Sequence, residues 1–401
     1  MEDTNPMAIP RAMPNDSTRR VAQLDGVRGV AIALVLLSHY VHRQRVPYSQ
    51  FLNLTWSGVD LFFVLSGFLI CGIVVDNRDA ANLFRVFYAR RVCRIFPLYF
   101  LLLGAFVVLA HTPLAGHTAF RWLFSNPLPY WSYATFTQNI LMGLRGEFGA
   151  RFLGVTWSLA VEEQFYVVLP LLVYLLPRRA LLATLTAAVL LAPVLRWSAP
   201  GMQAFVNTPW RADSLLSGAC LAILVRSPRF MAVVRERYRM VQTAFLGFLA
   251  GAAVMTASPG AFGPLNHLWL AGLYSVFILI AFVHRDGYIG RQLARPILVW
   301  LGATSYGIYM YHQAVSGLLH GAIRGQKPGV ATLGDFAVTA LALLTTLLLA
   351  TLSYYLLERP ILRYGHSWHY RHLAAHRGPR AEGPAPRSSD LRHREGSRAP
   401  G

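Results

Sequence analysis

The chain has 401 residues, 55% of them hydrophobic and only 14% charged, where a soluble protein of this size carries about a quarter charged residues. Its formal charge of +19 comes from 37 Lys and Arg against 18 Asp and Glu. The arginines sit in short gaps between apolar runs and toward the C-terminal end, which excludes nucleic-acid binding and places the chain in a lipid bilayer.

In chain order, residues 1–21 contain Pro, Asp, Asn and Arg without an apolar core, and read as a cytoplasmic tail rather than a cleaved signal peptide. Ten apolar stretches follow, near 26–43, 56–75, 95–111, 156–177, 180–196, 208–226, 240–257, 265–284, 297–320 and 334–357. Each is long enough to cross roughly 30 Å of hydrocarbon at ~1.5 Å per residue. The expected fold is an all-α polytopic membrane protein, with about ten transmembrane helices forming one domain over residues 22–364. Residues 112–155 make a long outer segment whose Trp122, Trp131 and Tyr133 suit a membrane interface or a carbohydrate groove. Residues 365–401, rich in Arg, His, Pro, Ser and Gly, are expected to be a disordered basic cytoplasmic tail.

An inner N-terminus puts about 27 of the 37 cations on the inner side, and leaves the outer loop 258–264 without charge. This bias predicts both termini inside. Lys327 is the sequence's single lysine, and no function is read from that. Cys71, Cys93 and Cys220 lack CxxC or Cys/His spacing, so neither a disulfide framework nor a metal site is expected.

Charges inside apolar spans cost several kcal/mol unless paired or hydrated, so each is a functional candidate. Arg28 starts the first span and His39 follows eleven residues later, roughly 16 Å along the axis and near the outer end. Asp60 falls in the outer third of the second span, and Glu162 and Glu163 about a third of the way into the fourth. Arg211 and Asp213 open the sixth, while Tyr306, Tyr309 and His312 occupy the middle and outer part of the ninth. The expectation is that His39, Asp60, Glu162, Glu163, Arg211, Asp213 and His312 converge from five helices at a similar depth. Singly, each has a structural alternative: an inter-helix hydrogen bond for a histidine, an ion pair for Arg211 with Asp213. Jointly they also fit a proton relay or transport pathway.

A histidine oriented by a carboxylate can deprotonate a hydroxyl that attacks an ester or thioester. No GxSxG elbow, HExxH or P-loop accompanies it, so a serine nucleophile, zinc or bound ATP has no support. General-base acyl transfer without a covalent enzyme intermediate is the simplest chemistry. In FYARRVCRIFPLYF, Arg91 and Arg94 lie three residues apart on an expected interfacial helix, beside Arg90 and near the depth of Arg28. Paired guanidinium groups suit phosphate, and lipid-headgroup anchoring is the alternative. Glu358 and Arg359, in LLERP, are read as a structural pair.

Seven segments in order resemble acyltransferase family 3, whose members O-acylate bacterial surface polysaccharides, lipopolysaccharide, Nod factors and macrolides. They are LDGVRGVAIALVLLSHY, with Arg28 and His39 in R-x10-H spacing, then GVDLFFVLSGFLI, FYARRVCRIFPLYF, TWSLAVEEQFYVVLPLL, WRADSLLSGACLA, LGATSYGIYMYH and LSYYLLERPILR. The resemblance implies a ten-helix core that takes an acyl group, commonly acetyl from acetyl-CoA, at the cytoplasmic side and delivers it to an acceptor hydroxyl. It implies His39 as catalytic base with Arg28 as its motif partner, and Arg91 and Arg94 with neighbouring Arg90 as the donor-binding pair. Ser66 and Gly67 fall in its SGFLI segment, as packing or donor contacts, and Glu162 or Glu163 would assist His39, Glu162 being preferred. Asp60, Trp157, Arg211, Asp213, Tyr306 and His312 are the candidates for acceptor contacts.

Longer family members carry an SGNH-type esterase domain after the last span. A short basic stretch follows it here, which favours an enzyme passing the acyl group directly to its acceptor. The leading reading is a cell-membrane O-acyltransferase with acyl-CoA as co-substrate, no tightly bound cofactor, and a surface-glycan or lipid-linked carbohydrate acceptor. A macrolide or other secondary-metabolite sugar is the alternative acceptor, and a transporter, acyl-group exporter or membrane scaffold the alternative class. Acceptor identity, acyl length and oligomeric state have no marker in the sequence.

Overall fold

The computed structural model describes residues 21–41, 52–199 and 201–372. Residues 1–20 of the expected N-terminal tail and residues 373–401 of the expected basic tail lie outside these. Among the described residues the chain is helical, and the only β-bridge pairs Ala80 with His372. Helices of eight residues or more are α1 (Ala22–Tyr40), α2 (Gly58–Asp76), α3 (Leu83–Ala110), α4 (Gln138–Arg145), α5 (Thr156–Leu175), α6 (Arg178–Ser198) and α7 (Ala212–Leu224). They continue as α8 (Pro228–Glu236), α9 (Tyr238–Ala257), α10 (Asn266–Val283), α11 (Pro296–Arg324), α12 (Leu333–Ser353) and α13 (Arg359–His366).

Seven of these stretches are long and apolar enough to cross a membrane, with an eighth if α7 and α8, bent by 96° at their break, form one broken span. They cover eight of the ten expected crossings. The other two, 26–43 and 297–320, coincide with α1 and α11, which have the length at 19 and 29 residues but not the apolarity. The reason is chemical: these two helices carry Asp25, Arg28 and His39, and Ser305, Tyr306, Tyr309, His312 and Gln313. They pack closely on each other in the interior, while exposed Val167, Val168 and Leu171 of α5 and Leu344, Leu348 and Leu352 of α12 present apolar surface outward. Such a surface suits a multi-pass membrane protein.

Close helix approach depends on small residues, as expected where burial from water does not drive association. A Cβ on Gly67 of α2 would lie 1.8 Å from the Leu215 carbonyl oxygen of α7, and one on Gly218 of α7 would lie 1.9 Å from that of Val64. The same device joins α11 to α1, where a Cβ on Gly302 would sit 1.9 Å from the Asp25 carbonyl oxygen.

Two boundaries differ from expectation. α3 runs for 28 residues through Pro97, so Arg85 to Arg94 belong to one continuous helix with the third span, not to a separate interfacial helix. At ~1.5 Å per residue it exceeds the hydrocarbon thickness and its basic N-terminal end projects beyond it. At the other end of the chain, residues 367–372, assigned by composition to the disordered tail, lie along α3. Asn82 donates to the His369 carbonyl at 3.0 Å, Arg90 donates to that of Trp368 at 2.6 Å and stacks on Tyr370, and Arg85 covers the Trp368 ring. Between α12 and α13 a π-helical turn, Tyr354–Glu358, buries Glu358 while Arg359 stacks on Tyr355. Glu358 thus turns toward Arg94 and Ser353, away from its expected partner Arg359.

Candidate active site

The ionisable residues of the interior form three groups, not one layer. The first surrounds His39 in the last turn of α1. Its Nδ1 lies 3.0 Å from the Val35 carbonyl oxygen. A carbonyl only accepts, so Nδ1 carries a proton, and in the neutral ring that leaves the lone pair on Nε2, the form a general base requires. His312 of α11 is held the same way, with Nδ1 2.7 Å from the Tyr309 carbonyl, and its ring meets that of His39 edge-on with centroids 4.7 Å apart. Tyr40 secures the pair by donating to the His312 carbonyl at 3.0 Å while hydrogen-bonding Thr346 of α12. Two pockets meet at His39. A narrow one of about 40 Å³ includes Trp157, Phe205 and Tyr309, and a wider one of about 290 Å³ includes His312, Trp122 and Lys327; Arg151 and Gln313 line both.

The second group lies near the other end of α1. Arg28 pairs with Asp25 at 2.6 Å, one turn away. Arg91 and Arg94 are its electrostatic neighbours, so three guanidinium groups from α1 and α3 share one region. Arg91 sits over Tyr166 and Arg94 over Tyr306, whose hydroxyl donates to the Ile95 carbonyl at 2.8 Å. Glu162 faces this group: it accepts from Ser66 at 3.1 Å and from Tyr166 at 2.7 Å, with Arg91 and Arg28 as the cations acting on it. Glu163 also neighbours Arg91. Arg28, Ser66, Arg91, Arg94, Glu162 and Glu163 are all half-buried.

The expected partnership of Glu162 with His39 is therefore replaced by one with Ser66, Tyr166 and the arginines. Glu162 lies six residues beyond the helix start at Thr156, about 9 Å along the axis, which carries it away from the level of Trp157 and His39. Arg28 and His39 likewise occupy opposite ends of α1 and make no direct pair. Arg90 is committed to Trp368 and Tyr370, and Gly67 to the contact with α7.

The third group is built on fully buried Asp60, Arg211, Asp213 and Ser214, with half-buried His267 at its edge. Asp60 Oδ1 accepts from Arg211 at 2.7 Å and Ser214 at 2.8 Å and lies 3.1 Å from His267 Nδ1. The Arg211 guanidinium is ringed by Phe63, Trp157 and Phe205 at 5.5–5.8 Å. Asp213 pairs with Arg196 at 2.5 Å, and Arg196 also donates to the carbonyls of Pro264 and Trp210. Neighbours in sequence, Arg211 and Asp213 thus take partners from other helices. Trp157 bridges this network and the narrow pocket.

His267 and Arg196 are absent from the sequence-derived candidates, although both sit at the edges of expected spans and bear the same signal as the residues chosen. Arg151, Gln313 and Lys327 are absent too; Arg151, a cation on the face expected from the charge bias to be cation-poor, was the detectable one. Of the outer aromatics, Trp122 lines the wider pocket, Trp131 is exposed, and Tyr133 is buried with its carbonyl accepting from Tyr99.

Comparison with known proteins defines the class. The chain belongs to acyltransferase family 3: the family's acyltransferase-domain profile matches residues 21–355. It is 28% identical over 90% of its length to a Bacillus subtilis protein, YrhL, provisionally named a peptidoglycan O-acetyltransferase. It is 26% identical over 87% of its length to the peptidoglycan O-acetyltransferase OatA of Listeria monocytogenes. In both cases the match spans 57% of the relative, so the chain corresponds to little more than half the length of these proteins. No solved structure matches it.

Proposed function

We propose that the protein is a cell-membrane O-acyltransferase, by preference an O-acetyltransferase, that moves an acyl group from acyl-CoA to a hydroxyl of a carbohydrate. The observation that carries this reading is His39, with Nδ1 committed to a backbone carbonyl and the ring at the junction of two pockets. The acceptor hydroxyl gives its proton to Nε2 as its oxygen attacks the thioester carbonyl. The C–S bond then breaks, and the imidazolium returns the proton to the departing thiolate.

Arg28, Arg91 and Arg94 would hold the phosphates of the donor, since guanidinium groups donate paired hydrogen bonds to oxyanions. The pantetheine arm would run along α1 to place the thioester at His39, about 16 Å from Arg28. With both termini cytoplasmic, the arginine group faces the donor's compartment and the histidine pockets face the outer side. The relatives' names favour a surface glycan as acceptor. Glu162, seated among the arginines, belongs to the donor side of this scheme.

The test compares the masses of surface glycans and glycosylated metabolites from cells with and without the chain, alongside His39→Ala at equal membrane abundance. A mass difference of one acetyl group that requires His39 supports the reading. No acyl difference in any fraction removes it and favours transport.

A further inference from the structure

We propose that the wider pocket recognises an oxyanion on the acceptor, a carboxylate or phosphate group of the sugar, held between Arg151 and Lys327. This rests on the proposed carbohydrate acylation and names the class of acceptor. Both cations line the pocket that contains His39 and His312, and among the described residues no Asp or Glu lines it. They reach it from separate parts of the chain: Arg151 from the helical turn Arg151–Leu153 before α5, and Lys327 from the connection between α11 and α12.

Neither has an acidic partner among the described residues. The acids closest to them in sequence are engaged elsewhere: Asp335 binds Arg324 and Gln326, each at 2.9 Å, and caps α12 through Thr332, while Glu147 is hydrogen-bonded by Asn126. Arg151 lies over the face of Phe148, at 5.1 Å to the ring centroid. Two cations gathered at one pocket without counter-charge repel each other and attract an anion. They also stand on the face where the charge bias predicts fewest cations, so membrane orientation does not account for them.

The remaining lining suits a sugar. Trp122 offers an aromatic surface, Gln313 an amide able to donate and accept, and the volume of about 290 Å³ lies at the small end of ligand sites, near about 300 Å³. A sugar ring seated there with its anionic group on Arg151 and Lys327 would present a neighbouring hydroxyl to His39 Nε2.

The test uses the full chain purified in detergent, with three oligosaccharides of one length bearing a carboxylate, a phosphate monoester or no charge. Because Lys327 is the single lysine, an amine-acylating reagent reports on it specifically by peptide mass spectrometry. The anionic sugars are expected to slow its labelling at least several-fold and the neutral one to leave it unchanged; the better protector identifies the group. In radiolabel transfer from acetyl-CoA, the preference in kcat/KM for anionic over neutral acceptor is expected to fall about ten-fold in Arg151→Gln or Lys327→Gln and to be largely kept in Arg151→Lys. Equal labelling with all three sugars, or transfer without charge preference, overturns the inference while leaving acyl transfer intact. Protection by anions without transfer to any acceptor upholds the anion site and overturns the acylation reading.

Discussion

The imidazole rings of His39 and His312, on helices near opposite ends of the chain, meet edge to face at 4.7 Å, and each ties its Nδ1 to a carbonyl of its own helix. With Nδ1 fixed on a backbone carbonyl in each ring, Nε2 is the atom of each that can take up a proton. The expected consequence is that His39→Ala lowers kcat for acetyl transfer by at least about 100-fold with unchanged membrane abundance. Retention of wild-type turnover would remove His39 from the chemistry.

The donor-side arginines should separate by role. Arg91→Gln and Arg94→Gln are each expected to raise KM for acetyl-CoA about ten-fold or more, the scale of a lost charged hydrogen bond, with little change in acceptor KM. Arg90→Gln acts elsewhere: it frees the Trp368 carbonyl, so residues 367–372 should become more sensitive to protease while donor KM holds. Steady-state kinetics with the donor and acceptor varied in turn distinguishes these outcomes.

The buried Asp60–Arg211 pair predicts a stability effect. Asp60→Ala leaves a guanidinium only 1% exposed without its carboxylate and is expected to cost about 3–5 kcal/mol, read as a lower Tm in detergent. Asp60→Ala combined with Arg211→Leu should recover part of that loss, since the stranded charge is gone. A Tm unaffected by Asp60→Ala would contradict the buried pairing.

Helix contact at Gly67 predicts a sharp positional contrast. Gly67→Val places branches where even a Cβ would lie 1.8 Å from the Leu215 carbonyl oxygen, and should cost about 1–3 kcal/mol or more as α2 and α7 separate. Gly104→Val, on α3 with nothing within 4 Å of the added Cβ, should be tolerated. Thermal unfolding of the two variants side by side checks this, and similar melting curves would argue against close packing at Gly67.

The helical, membrane-spanning character was legible because apolar runs of span length admit few other folds. The location of α1 and α11 was legible too, although their polarity marks them as inner helices of the bundle. Depth was read less well: placing Asp60 and Glu162 at one level ignored the roughly 9 Å between a helix's first turn and its seventh residue. Partners were the least visible. Arg211 takes Asp60 from 151 positions away while Asp213, two residues on, takes Arg196, and no local spacing encodes that exchange. Lys327 could not be singled out by type alone; it acquires meaning only beside Arg151 and His39.

A backbone carbonyl bears no titratable proton. Because the Val35 carbonyl, not an acid, orients His39 through Nδ1, this hold on the ring does not loosen as the medium acidifies, as a carboxylate's would on protonation. A base set in this way keeps one ring orientation both before and after it takes up the acceptor's proton, because Nδ1 donates to the same carbonyl in either state, so the geometry that serves the attack also serves the proton's return to the departing thiolate.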